Sequence, residues 1–227
     1  MADSVTPEQL RQALGDQQIA ISPATGRDAG SVWMLSLGSI RVGRIRIDPA
    51  RRAAEPGAIR LIDGPAFGTG LHATTILCLD ALGEILESGI PDALLDVGTG
   101  SGVLALGALR LGVPRATAID MDADALRVAA ENARLNGLDD RLQLARGGPD
   151  SLNERWPLVL ANILAAPLIE MAPSLTQRVA HHGRLVLSGI PRSVEQDVLQ
   201  AYRRLGMRHL ETKSREGWIA PVLQASW

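Results

Sequence analysis

From about residue 60 onward, apolar and polar positions switch repeatedly between two periods. Spacing near 3.6 predicts helices over 73–88, 102–111, 123–135, 167–179 and 192–205, and short apolar runs predict strands at 94–97, 115–120, 141–145, 157–162, 184–188, 207–213 and 217–224. Strands alternating with helices imply an α/β fold with a doubly wound, mainly parallel seven-stranded sheet, closed by an antiparallel pair at its C-terminal end. Its ligand crevice belongs at the carboxyl ends of the strands. Residues 1–60 read as a short appendage and linker ahead of a main domain at 61–227. The appendage holds a helix start with Thr6 as N-cap and Pro7 at N1, then a β-hairpin formed by 31–37 and 39–47 around Gly38. The stretch 48–57, rich in Pro, Arg and Ala, reads as a linker, and no internal repeat is present.

The junction Leu94-Leu95-Asp96-Val97-Gly98-Thr99-Gly100-Ser101-Gly102-Val103-Leu104 carries three glycines at alternate positions. Lacking Cβ, such residues adopt positive φ and let a ligand approach the backbone, while the free N–H groups of the next helix face it. A dinucleotide-binding turn would place its third glycine where this chain has Val103. The D-x-G-x-G-x-G form instead resembles motif I of the S-adenosylmethionine-dependent methyltransferases, in which the turn receives the methionine part and ribose of the cofactor. Without a ligand the same residues would be a plain strand-to-helix connection. Asp120 ends the second strand, 22 residues beyond Gly98. An acid there can hold a ribose diol through one carboxylate. Helix capping is the competing reading, and it suits Asp122 better, at the start of a helix that Gly137 terminates.

Composition narrows the alternatives. The 227 residues, 46% hydrophobic and 21% charged, suffice for one good core with a small appendage. A net charge of −2 and an aromatic content of 3% argue against direct nucleic-acid binding, which calls for a basic excess or stacking platforms. Cys78 is the only cysteine, so no internal disulfide forms, and with four scattered histidines no metal centre is expected. The N-terminal stretch lacks a basic-then-apolar leader, and the most apolar window, 93–113, is interrupted by Asp96 and Arg110. No membrane association and a cytoplasmic location are therefore expected.

Two further motifs fall where the strand ends converge. Gly64-Pro65-Ala66-Phe67-Gly68-Thr69-Gly70-Leu71-His72-Ala73-Thr74-Thr75 is a glycine-broken loop leading into the first helix, and Val159-Leu160-Ala161-Asn162-Ile163-Leu164-Ala165 is a buried strand ending in an amide. With motif I, the elements F-G-T-G-x-H-x-T-T, A-x-D-x-D and A-N-I-L resemble the PrmA family of ribosomal protein methyltransferases, which act on protein eleven of the large subunit. The resemblance covers roughly residues 60–222, including Leu187-Ser188-Gly189-Ile190. It implies a Rossmann-like class I methyltransferase fold, S-adenosylmethionine as cofactor, and a protein substrate, ribosomal in that family, methylated on lysine or N-terminal amines. It further implies that Thr75, Gly98, Asp120 and Asn162 hold the cofactor, with Gly100 in the same turn. Asn162 would bind either the methionine group or an incoming amine. Competing readings are an N-cap threonine and a strand-end Asx turn. Phe67 could shield a sulphonium through a cation–π contact or pack into the core, and His72 could cap or orient its loop.

Methyl transfer to an amine is an in-line displacement with an already activated leaving group, so the protein mainly aligns the reactants and excludes water. Methyltransferases acting on glutamine or adenine amino groups carry N-P-P-[YF] where this chain has Asn162-Ile163-Leu164-Ala165. Small-molecule N- or O-methylation, a different protein target and cofactor binding without catalysis are the alternatives. PrmA proteins also carry an N-terminal recognition domain, for which the sixty residues before the F-G-T-G loop are too few. Methylation at fewer sites, or of another protein, is therefore expected, with the hairpin at 31–47 in the docking surface.

Overall fold

The computed structural model describes residues 20–23, 33–36, 39–53, 55–62 and 72–227. Two small sheets come first. In one, β1 (Ala20–Pro23) pairs antiparallel with β2 (Trp33–Ser36). In the other, β3 (Ile40–Val42) turns back into β4 (Ile45–Pro49), which runs parallel to β5 (Ala58–Leu61). Among the described residues the hairpin expected around Gly38 is not formed. Its first half pairs upstream with β1, and its second half folds on itself at Gly43, whose φ of 52° suits a tight turn. Alternating polarity fits either pairing, and the Gly43 turn decides between them. Strand β4 also takes Asp48 and Pro49 out of the expected linker. Asp48 is buried there, with Oδ1 2.9 Å from Arg46 Nε. The expected helix near Thr6 lies outside the described residues.

The main sheet follows helix α1 (Ala73–Glu87) and begins with β6 (Ala93–Val97), α2 (Val103–Arg110), β7 (Arg115–Asp120), α3 (Ala123–Leu135) and β8 (Leu142–Arg146). It continues through β9 (Trp156–Asn162), α4 (Ala165–Glu170), α5 (Ala172–Gln177), β10 (Val179–Ser188) and the two-residue β11 (Ile190–Pro191). Helix α6 (Glu195–Arg203), β12 (Met207–Arg215) and β13 (Trp218–Ala225) complete it. The strand order is β8-β7-β6-β9-β10-β13, parallel from β8 to β10, with β13 antiparallel and β12 on its outer edge. The expected seven-stranded, mainly parallel sheet is thus present, with β11 as an extra segment along β13. Among the described residues no helix is long and apolar enough to cross a membrane.

Side chains of the central strands go alternately to two apolar clusters. Leu94, Leu158, Leu160 and Val186 join α1, α2 and the small β3–β5 sheet, whereas Leu95, Val159, Ala161 and Leu187 join α4, α5 and α6. Both faces are therefore covered, as a parallel sheet requires. Strand β5 is tied in by two asparagines of α3 and its C-cap. Arg60 donates its N–H to Asn136 Oδ1 at 2.8 Å, and Ile62 donates to Asn132 Oδ1 at 2.8 Å. Asn132, fully buried, donates in turn to the Ser101 carbonyl at 2.9 Å, linking this strand to the glycine turn.

Two boundaries differ from the pattern. The helix expected over 167–179 is two helices, broken at Met171 just before Pro173, which lacks an N–H and crowds the preceding turn. Strand β10 starts at Val179 and carries a register shift before Arg184, where His182 sits at φ 57° next to Gly183.

Candidate active site

Register brings the site together. Val97 on β6 stands opposite Ile119 on β7 and Ala161 on β9. The next residues, Gly98, Asp120 and Asn162, therefore lie side by side at the carboxyl ends of three adjacent parallel strands. From β6 the chain adds β7 and β8 to one side and then β9 and β10 to the other, so the strand order reverses between β6 and β9, the topological switch point at which such sheets open a crevice.

All three motif glycines have positive φ, 70° at Gly98, 54° at Gly100 and 83° at Gly102, a backbone path that L side chains rarely follow. Gly98 and Thr99 donate N–H groups to the Ile119 carbonyl at 2.9 and 3.1 Å. Beneath the turn Asp96 is fully buried, its Oδ2 accepting from Thr99 Oγ1 at 2.7 Å and Ala105 N at 3.3 Å. Its Oδ1 has no partner. Burial pushes the Asp96 carboxyl up to about 6, against the pull of these hydrogen bonds.

Asp120 braces the turn from the side. Its Oδ2 accepts from Gly100 N at 3.0 Å and its Oδ1 from Asp122 N at 3.0 Å, which leaves lone pairs on both oxygens toward the cavity it lines. Asp122 caps α3, accepting from Asp124 N at 2.9 Å. His72 is the N-cap of α1 and meets the Trp218 ring edge-on, with centroids 5.1 Å apart. Thr75 is fully buried, with Oγ1 3.3 Å from Asn162 Nδ2, and the cavity wall is formed by its neighbour Thr74. Asn162 Oδ1 is buried without a partner. Phe67 and the F-G-T-G loop lie outside the described residues.

His72, Thr74, Gly98, Asp120 and Asn162 line a cavity of about 580 Å³, within the range of small-molecule sites, whereas Gly100 and Thr75 stand behind its wall. Asp120 is the one carboxylate on its wall among the described residues, and the rest is mostly apolar. Sequence reasoning missed Gly147, Gly148, Met121 and Trp218 on this wall, and it gave no role to Gly189. A glycine pair directly after a strand was a readable signal for the first two, whereas Trp218 arrives only through the β12–β13 hairpin. A larger cavity, about 790 Å³, lies at the opposite, amino ends of the strands. Arg115, Arg141 and Arg155 there offset Asp92, Asp140 and Glu154, and it holds neither a glycine turn nor a converging strand end. The smaller cavity is the one built to take a ligand.

The strand order, the glycine turn at the switch point and the strand-end acid beside it define a class I, S-adenosylmethionine-dependent methyltransferase. The family described as ribosomal protein L11 methyltransferase (PrmA) matches residues 6–226. Ribosomal protein L11 methyltransferases of Pelobacter propionicus and Chromohalobacter salexigens are each 41% identical, over 89% and 96% of this chain and 68% and 71% of their own lengths. The crystal structure of ribosomal protein L11 methylase from Lactobacillus delbrueckii superposes with a TM-score of 0.76 at 28% identity, covering 84% of this chain and all of that one. This chain belongs to the ribosomal protein L11 methyltransferase family.

Proposed function

We propose that the protein transfers methyl groups from S-adenosylmethionine to amino groups of ribosomal protein L11, on lysine side chains or the N-terminal amine, in the cytoplasm. The names of its relatives support the substrate. The observation that carries the chemistry is Asn162 on the cavity wall, whose side-chain oxygen has no partner in the protein and is an acceptor matched to the N–H of an amine. Residues 61–227 form the catalytic domain in this reading, with 1–60 as appendage and linker.

The residues present fit the cofactor. Gly98 would offer bare backbone, with Gly100 holding Asp120 in place through its N–H, Asp120 would offer lone pairs to a ribose diol, and Asn162, braced by Thr75, would face the methionine part. When bound, S-adenosylmethionine supplies a methyl group on a positively charged sulphur that leaves as a neutral thioether. The protein's own work is placement and desolvation. Ile163, Leu164, Pro167, Met171 and Trp218 wall the cavity with apolar surface, which disfavours a charged ammonium and so helps a lysine shed its proton to solvent before attack. Asn162 Oδ1 then accepts from the neutral amine and orients its lone pair, which supplies alignment, the main requirement of an in-line displacement.

Incubation with labelled cofactor, purified L11 and the small-molecule fraction of a lysate tests this reading. Label on L11 amines is expected. Label confined to small molecules, or absent although the protein binds cofactor, would overturn it.

A further inference from the structure

The Leu187-Ser188-Gly189-Ile190 element has no part in the reading above, yet it closes directly against the segment that bears Asn162. Strand β10 ends at Ser188, Gly189 turns with φ 82°, and Ile190 resumes pairing with Ile219 on β13. Ser188 is fully buried and anchored twice: its hydroxyl donates to the Ile219 carbonyl at 3.0 Å, and its own carbonyl accepts the Ile163 N–H at 3.0 Å.

The break lets two backbones touch. A Cβ added at Gly189 would overlap the Ile163 carbonyl oxygen and lie 2.6 Å from its carbon and 3.1 Å from its nitrogen. On the β6 side the Ile163 side chain fills the space a Cβ on Gly98 would take, its Cγ1 and Cδ1 lying 2.8 and 2.9 Å from that point. Ile163 is thus fitted between two glycines on the neighbouring strand ends, its backbone against Gly189 and its side chain over Gly98. Asn162 precedes it across a planar peptide, so a displacement of the Ile163 backbone carries the Asn162 Cα, and with it the side chain, out of place.

We infer that Gly189 is a positioning residue for methyl transfer: by admitting the Ile163 backbone into the break in β10, it sets Asn162 where its side-chain oxygen meets the amine. This rests on the role proposed for Asn162. A methyl group at Gly189 must push Ile163 away by about 1 Å to reach ordinary contact, and displacements of that size cost up to about a hundredfold in rate. Asp120 and the glycine turn stand on other strands and keep their places.

The test measures kcat, KM for L11 and calorimetric cofactor affinity in Gly189→Ala, Asn162→Ala and the double variant. Gly57→Ala serves as a control for backbone strain alone, since Gly57 has φ 80° with nothing within 4 Å of its missing Cβ. Gly189→Ala should lower kcat at least about tenfold with a much smaller change in KM, while Gly57→Ala keeps its rate. The double variant should be no slower than Asn162→Ala, because a residue acting through Asn162 has nothing left to act on. Where Gly189→Ala does not fold, Ser188→Ala, which removes one of the ties between the break and Ile219, should show a smaller kcat loss that likewise vanishes in the Asn162→Ala background. Losses that multiply in the double variants, or a full rate in Gly189→Ala beside a slow Asn162→Ala, would overturn this inference alone. A full rate in Asn162→Ala would overturn the reading of Asn162 and this inference with it.

Discussion

Replacing Asp96 by asparagine should change how stability depends on pH. The carboxyl is fully buried under the glycine turn, with Oδ2 bound to Thr99 and Ala105 and Oδ1 bare. Burial pushes it up to about 6 in the folded protein, with the nearby Asp120 charge adding to the rise, from 3.8 without these surroundings. The folded state therefore holds this proton more tightly than the unfolded state. Its contribution is intact below about pH 4, is lost as pH rises toward 6, and stays lost above, for a total of about 3 kcal/mol. Between pH 4.5 and 7.5 the loss is about 2 kcal/mol. Asparagine presents a neutral amide of the same shape whose oxygen still takes the Thr99 and Ala105 donors, and it does not titrate. Any pH-independent effect of the substitution cancels when wild type and variant are compared at both pH values. Thermal unfolding should show Asp96→Asn gaining on wild type by about 2 kcal/mol from pH 4.5 to 7.5, roughly 4 to 8 °C in Tm for a chain of this size. A stability difference that stays constant within about 0.5 kcal/mol would show that burial does not hold the Asp96 proton in this window.

Two substitutions test the cofactor contacts. Asp120→Ala removes charged hydrogen bonds, so calorimetry should show affinity for S-adenosylmethionine falling about ten- to hundredfold, about 1.5 to 3 kcal/mol; unchanged affinity in a folded variant would end the ribose assignment. Gly100→Val puts a β-branched side chain at φ 54°, where only glycine is at ease, and should abolish cofactor binding while circular dichroism reports a retained sheet. Normal binding by that variant would reduce the turn to a connection.

What was legible in the sequence was what local chemistry dictates. Gly98, Gly100 and Gly102 could be read because positive φ at alternate positions leaves glycine as the strain-free choice, and Asp120 because a strand end beside that turn is one short step away. The parallel sheet was legible because near-continuous apolar strands alternate with amphipathic helices. The hairpin around Gly38 was misread because alternating polarity fits more than one pairing, and the turn that closes β3 on β4 lies at Gly43. Pro173 was visible as a breaker, but the apolar period ran on through it and read as one helix. Trp218 reaches the cavity only through the β12–β13 hairpin and has no local signature, whereas Gly189 stood in the Leu187-Ser188-Gly189-Ile190 element but gains its contact only where β10 breaks beside Ile163.

The most direct test of the account is where S-adenosylhomocysteine, the demethylated product of the cofactor, sits in a crystal structure of the complex. It should occupy the cavity bounded by Gly98, Asp120, Gly147 and Asn162, with its ribose hydroxyls on the Asp120 carboxylate and its sulphur facing the Asn162 side. Density in the cavity at the amino ends of the strands, beside Arg115 and Arg141, or a ribose with no contact to Asp120, would contradict the placement on which the mechanism rests.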